Sequence, residues 1–283
     1  MLITLAQINF DPDDVEGHLE RLKDIISQNA DSDLIVFPEL ILHGHPSQLR
    51  PEGFLYRQVK CHLADASQQI YSHVKKCKAR VVLGELKREG DVFSNLATYV
   101  DEKGPRSYAK AHVHWTEHFR PGGRLKVFAT PLGRLGLNIC YDSAFSEVWR
   151  VLALEGAKIV VNISAVPAHF PVEYMRRRMQ GAAAFNQYHV IYVNRPGPVF
   201  AGGSAMYDPH GDELLALGGG EEVISTEIEP GAVDAWREEE ILFANRRPLL
   251  YRRISDRNRE IGRRRKSARL RVVPERGDKQ MSA

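Results

Sequence analysis

The chain has 283 residues, 43% of them hydrophobic and 27% charged, with a formal net charge of +3. That length suits one large domain with a sizeable core, and the composition excludes disordered, collagen-like and disulfide-framed classes. No apolar run approaches the roughly 18–20 residues of a membrane span, and no basic-then-apolar secretory pattern opens the chain, so no membrane partner is expected.

The first strand is expected over residues 2–9. Asp11-Pro12-Asp13-Asp14 then opens a helix with Val15, Leu19, Leu22 and Ile26 on one face. Leu34–Phe37 is a short continuous apolar run, the pattern of a strand buried on both faces. It stops at Pro38-Glu39, and a polar loop with His43-Gly44-His45-Pro46 follows. A helix is expected over 57–78, a strand over 81–85, and a hairpin from 93–100 to 106–110 across Asp101-Glu102-Lys103-Gly104. Val127-Phe128 and Leu135–Ile139 flank a second tight turn.

Helix 145–155 precedes a strand at 158–162, and helix 172–187 precedes one at 190–194. Two last strands, near 203–207 and 222–228, are expected to be joined by Asp208-Pro209-His210-Gly211. Helices alternating with strands and hairpins indicate a layered α/β protein with a mixed sheet, or two sheets packed together with helices outside. One domain over 1–251 and a basic tail over 252–283 is the simplest partition. The tail carries twelve Lys and Arg against four Asp and Glu, so the body is mildly acidic.

Three chemically distinct side chains end strands. Glu39 follows Leu34–Phe37, Lys110 follows Tyr108-Ala109, and Cys140 follows Leu135–Ile139. In layered α/β folds, ligands sit beyond the carboxyl ends of strands. Ser143 is expected to cap the next helix, placing Cys140 near a positive helix end that lowers a thiol pKa from roughly 8.5. A carboxylate, an ammonium and a thiol in one crevice suit nucleophilic acyl chemistry. The carboxylate takes the thiol proton, returns it to a leaving amine and activates water, while the ammonium and the Tyr141 backbone N–H steady an oxyanion.

Phe37-Pro38-Glu39-Leu40, Lys110-Ala111-His112 and Asn138-Ile139-Cys140-Tyr141-Asp142 stand in the order of the three motifs of the nitrilase superfamily, the carbon–nitrogen hydrolases, and the chain resembles that family. Phe119-Arg120-Pro121-Gly122, Phe145-Ser146-Glu147, Leu152–Ala157, Tyr207–Gly211 and Arg247-Pro248 resemble further family segments. The resemblance covers roughly residues 1–251.

It implies a four-layer αββα sandwich of two mixed sheets flanked by helices, pairing into a homodimer or higher homo-oligomer. It implies Cys140 as nucleophile, Glu39 as general base, Lys110 as oxyanion stabiliser and Glu117 as a second glutamate positioning substrate and lysine. The implied activity is hydrolysis of a small amide to acid plus ammonia or amine through a cysteine thioester. Alternatives are an N-carbamoyl amine amidohydrolase or nitrilase with the same site, or an inactive scaffold acting through its basic tail.

Departures bear on substrate. Gly44-His45 replaces a frequent Gly-Tyr pair, and Ser143-Ala144 stand where carbamoylases for amino acids carry arginine. Tyr141, where nitrilases proper often have tryptophan, leans towards an amidase. A frequent R-A-x-E-N segment reads Ala182-Ala183-Ala184-Phe185-Asn186. His45, His114, Ser164 and Ala165 are candidate substrate-pocket residues.

Each residue alone also has a plain structural reading. Glu39 is then a solvated loop acid, Lys110 a strand-end lysine, and Cys61 and Cys77 incidental helix residues. His112 and His114 share one face, but no HExxH or Cys/His ligand spacing accompanies them, and no metal or other cofactor is expected. Three cysteines without a CxxC read as free thiols in a reducing, cytoplasmic setting. The basic tail lacks interleaved aromatics, so no nucleic-acid partner is expected; an arm on a partner subunit with a solvated end fits it better.

Overall fold

Alternation of apolar and polar residues builds the strands. In Gly133–Ile139, Leu135, Leu137 and Ile139 enter the central core while Gly136 and Asn138 fall on the opposite face. Leu34–Val36 instead has apolar residues on both sides, since Leu34 and Val36 face one core and Ile35 another.

The computed structural model describes residues 1–45, 54–90 and 92–254. In order, the elements are β1 (Leu2–Gln7), α1 (Val15–Gln28), β2 (Leu34–Val36), α2 (Phe54–Cys77), β3 (Val81–Glu89), β4 (Val92–Asp101), β5 (Gly104–Ala109), β6 (Val127–Thr130), β7 (Gly133–Ile139), α3 (Ser146–Leu154), β8 (Ile159–Ser164), α4 (Val172–Asn186), β9 (His189–Asn194), β10 (Ala205–Tyr207), β11 (Glu213–Ala216), β12 (Glu222–Glu227) and α5 (Ala232–Glu239).

Two six-stranded sheets result, with orders β12-β1-β2-β3-β4-β5 and β11-β10-β9-β8-β7-β6. Both are mixed: β1, β2 and β3 run parallel, as do β7, β8 and β9, and the outer pairs are antiparallel. Their inner faces share one core, in which Ile3, Leu5, Val36, Val82 and Tyr99 meet Leu137, Ile139, Val161 and Ile191. On the outer face of the first sheet, Leu22 and Ile26 of α1 and Ile70 and Val74 of α2 pack over Ile35, Val81 and Leu83. Helices α3 and α4 lie on the second sheet's side, where Val148, Leu152, Met175 and Met179 are buried. This is the αββα sandwich expected from the sequence.

Two local expectations change. Asp208–Gly211 does not join the last two strands; it leads from β10 into β11, a strand the sequence reading passed over, while β12 pairs antiparallel with β1 in the other sheet. The switch follows from hydrogen bonding across the chain, with Leu2 opposite Glu227. Ser143 does not cap α3. Residues Cys140–Ala144 tighten into a 3-10 turn, and Phe145 stands at the cap position. Helix α5 also had no forecast.

Residues Met1–Glu239 form one compact unit, and the described residues from Glu240 on belong to a second. Its described part holds a turn at 242–245 and a helix at 248–254, and the expected basic tail lies outside the described residues from 255 on. Among the described residues no helix is long and apolar enough to cross a membrane.

Candidate active site

Glu39 sits one turn beyond β2, with none of its surface exposed. The turn is tied down by β3 and by α1. Pro38 C=O accepts from Gly84 N–H at 3.1 Å, and Gly84 C=O accepts from Leu42 N–H at 3.1 Å. His18 Nε2 donates to Ile41 C=O at 2.8 Å, and His43 Nδ1 accepts from Leu86 N–H at 2.9 Å. Gly84 is required by close approach, since a Cβ there would lie 2.2 Å from Leu40 N and 2.6 Å from Glu39 Cα.

Lys110 begins where β5 ends and is fully buried. Its Nζ donates to Glu39 Oε1 at 2.9 Å and to both oxygens of Glu117 at 2.9 Å. A buried ammonium between two carboxylates is held charged. Burial alone would lower its pKa, but Glu39, Cys140 and Glu117 together raise it well above the ordinary value. Glu117 accepts from His114 N–H at 3.0 Å and lies 3.6 Å from His45 Nε2. Burial works to raise its pKa, but the His45 hydrogen bond and Lys110 bring it down to about 2.

Glu39 Oε1 also accepts from Asn95 Nδ2 at 2.7 Å, whereas Glu39 Oε2 is buried without a partner. A buried carboxylate oxygen left unpaired is costly, and such an atom has to be explained by use.

Cys140 follows β7 directly and opens the 3-10 turn with a left-handed backbone, φ +44°. Among the described residues four non-glycines have positive φ; Lys78 and Gln187 close helices α2 and α4, where that conformation is ordinary. The other two, Leu40 (φ +53°) and Cys140, adjoin or carry the reactive groups, and each costs about 1–3 kcal/mol.

Asp142 supports the Cys140 turn. Its buried carboxylate accepts from Tyr108 OH (2.7 Å), Ile139 N–H (3.1 Å), His112 N–H (2.8 Å) and His112 Nδ1 (2.9 Å). It thereby ties the segment after Lys110 to the turn that carries the cysteine.

The thiol is not the activated thiolate that a helix end would give. Burial first, and then the Glu39 charge, push the Cys140 thiol up to about 12, against the opposing pull of Lys110 and the Ala165 backbone N–H. No N-terminal helix turn is aimed at it, because the 3-10 turn intervenes.

The structure therefore brings Glu39, Lys110, Glu117 and Cys140 together, with His45 and His114 on Glu117 and the Ala165 N–H on the sulfur. Ser164 is fully buried, and its hydroxyl donates to Asn162 Oδ1 at 2.8 Å. Asn95, Asp142 and Arg195 were not singled out from the sequence. Arg195 is buried with Nη1 unpartnered, sits 4.5 Å over the Phe200 ring, and is lowered to about 9 by burial despite Glu39. A polar residue within an apolar strand run was the one available signal for Asn95. Among the described residues, no group of three His, Cys, Asp or Glu side chains is placed to hold a metal.

A two-sheet sandwich with a Glu-Lys-Glu cluster beside a strained cysteine is the arrangement of a thiol hydrolase. Comparison with known proteins agrees: the carbon-nitrogen hydrolase family model matches residues 2–238, and the chain belongs to that family. It is 31% identical to an (R)-stereoselective amidase of a Pseudomonas species over 88% of this chain and 93% of that one. It is 30% identical to a nitrilase of Pyrococcus abyssi, covering 88% of this chain and 98% of the other. An amidase structure from a Nesterenkonia species superposes with a TM-score of 0.76 at 24% identity, over 89% of this chain and 95% of that one, and shows the shared fold. The protein is a hydrolase of carbon–nitrogen bonds other than peptide bonds.

Proposed function

We propose that the protein cleaves a small amide to an acid and ammonia or an amine, through a thioester on Cys140. The observation that carries this reading is the unpartnered Glu39 Oε2 in a cluster whose other oxygens are all engaged. It is the one carboxylate oxygen there free to take a proton. With the thiol pKa near 12, Cys140 rests protonated. Attack on the amide carbon then has to be concerted with proton transfer from sulfur to Glu39.

As the S–C bond forms, the carbonyl oxygen gains negative charge, which Lys110 and the Tyr141 N–H stabilise. Glu39 passes its proton to the departing nitrogen as the C–N bond breaks. It then takes a proton from water, which attacks the thioester and frees the acid and the thiol. Glu117 holds Lys110 with both carboxylate oxygens, with His45 and His114 steadying Glu117. Ser164 and Ala165 belong to the pocket wall in this reading. In a Glu-to-Gln mutant of a Nesterenkonia amidase of the same fold, the acetamide moiety of fluoroacetamide adds covalently at the active-site cysteine, which is in keeping with a cysteine nucleophile here.

A homodimer is part of the proposal, because Val151, Leu154 and Phe185 expose large apolar surface on α3 and α4. Light scattering checks it. The free thiols Cys77 and Cys140 support a reducing, cytoplasmic setting.

The test is intact mass after mixing with an amide, with an N-carbamoyl amine and a nitrile in parallel. An acyl adduct on Cys140, absent in Cys140→Ala, is expected. An adduct on Cys61 or Cys77, or turnover by Cys140→Ala, sinks the assignment.

A further inference from the structure

Trp115 keeps 73% of its surface exposed, although it lies two residues before Glu117 in the loop that follows Lys110. The other two tryptophans are occupied. Trp149 is buried and donates to Ser143 C=O, and half-buried Trp236 packs against His210 at 4.2 Å. An open indole beside a reactive cluster asks for an occupant, because burying such a ring is strongly favourable.

The indole ends a continuous run of rings. It lies against the His114 imidazole, with centroids 3.7 Å apart and planes 33° from parallel. Tyr141 presents itself edge-on to both, at 5.9 Å and 83° to Trp115 and 4.9 Å and 88° to His114. Tyr141 meets Phe145 edge-on at 5.4 Å, and Phe145 stacks on His112 at 3.8 Å. The run is fixed to the reacting groups at three points: Tyr141 follows Cys140, the His114 N–H binds Glu117, and His112 is held by Asp142. His114 Nδ1 pairs with Thr116 Oγ1 at 2.7 Å, which sets its ring plane. Burial lowers the His114 pKa, which favours a neutral ring.

We propose that Trp115, backed by His114 and edged by Tyr141, is a stacking platform that selects amide substrates carrying a flat aromatic ring. His114 covers part of the indole, Tyr141 stands at its edge, and the exposed remainder offers a π-surface in continuity with the nucleophile. Offset stacking and edge contacts of this kind are what aromatic pairs prefer. This inference rests on the amide-cleaving reading above, and its test separates the two.

Wild-type, Trp115→Ala and Trp115→Phe proteins are assayed on acetamide and phenylacetamide. Trp115→Ala is expected to lower kcat/KM for phenylacetamide about tenfold more than for acetamide, and Trp115→Phe to restore most of the difference. Equal losses on both substrates, or a change of oligomeric mass in Trp115→Ala, make the ring a structural or interface residue and overturn the proposal. In parallel, Cys140→Ala protein is titrated with phenylacetate and with acetate while tryptophan emission is followed. A change with phenylacetate alone, lost when Trp115→Phe is added, supports the platform; its absence rejects it. Should neither amide be turned over, the amide reading fails while the titration still decides the platform.

Discussion

Two buried carboxylates lie on either side of Gly84, and their surroundings differ in one respect that separates chemistry from architecture. Glu85, under α2, has both oxygens occupied: Oε2 accepts from Ser67 Oγ at 2.6 Å, and Oε1 from Tyr71 OH at 2.5 Å and from Thr98 Oγ1. All are neutral hydroxyls, and burial, reinforced by Glu85, raises the Tyr71 phenol well above its ordinary pKa. Glu39 is just as buried, but it shares a lysine with Glu117 and leaves Oε2 with no partner. A structural acid is surrounded until nothing is left to bind, whereas the proposed general base keeps one oxygen open at a cost the fold carries elsewhere.

Replacing that oxygen tests the difference most severely. Glu39→Gln retains the shape and an acceptor for Asn95 and Lys110 but cannot take a proton, so kcat is expected to fall about 10³-fold. Retention of more than a tenth of wild-type turnover on any substrate would remove Glu39 from the mechanism. Lys110→Ala attacks the other half of the contrast by leaving two buried carboxylates without their cation. Unfolding in urea is expected to report a loss of about 3–5 kcal/mol along with activity, and a variant as stable as wild type contradicts the paired cluster.

The pH dependence of stability has a definite sign here. Glu117 is held near pKa 2 in the folded protein against an ordinary 4.5, so its contribution is complete above 4.5 and lost as pH falls through about 2. Glu117→Gln is expected to flatten the stability profile between those limits. Among the described residues Glu85 has no such cation pairing. An unchanged slope in Glu117→Gln would place the titration elsewhere.

Much of this was open to reading from residue order. Alternation of Leu135, Leu137 and Ile139 placed β7, and the positions of Glu39, Lys110 and Cys140 at strand ends pointed to one crevice. The thiol was misjudged because its pKa depends on burial and on the Glu39 charge, neither visible in Cys140's own neighbourhood. Asp142 looked like part of a motif but carried no role, since its partners are Tyr108 on β5 of the other sheet and His112 in the segment after it. The β12 pairing was missed because a turn signal says where the chain bends, not which strand it next meets. Gly84 reads only as a weak spot in a strand; the structure shows β3 backbone pressed against the Glu39 turn. Gly84→Ala is accordingly expected to displace that turn and cost about 10²-fold in kcat/KM, with far-UV circular dichroism unchanged. A fully active Gly84→Ala protein would mean the turn yields without moving the carboxylate.

The mildest change is made one residue further on. Glu85→Gln keeps an oxygen for Tyr71 and Thr98 but turns an amide towards Ser67, which then has to accept where it donated. Hydrogen bonds to a charged acceptor become bonds to a neutral one, so stability is expected to fall by about 1–2 kcal/mol in urea unfolding. Turnover is expected to stay within about twofold of wild type, because Glu85 touches α2 and β4 and none of the reacting groups. The pairing of results is what matters. A loss of activity in Glu85→Gln comparable to that in Glu39→Gln would show that the two carboxylates act through one another across Gly84. Stability lost without activity would leave the open oxygen of Glu39 as the feature that distinguishes a reactive acid from a structural one in this sheet.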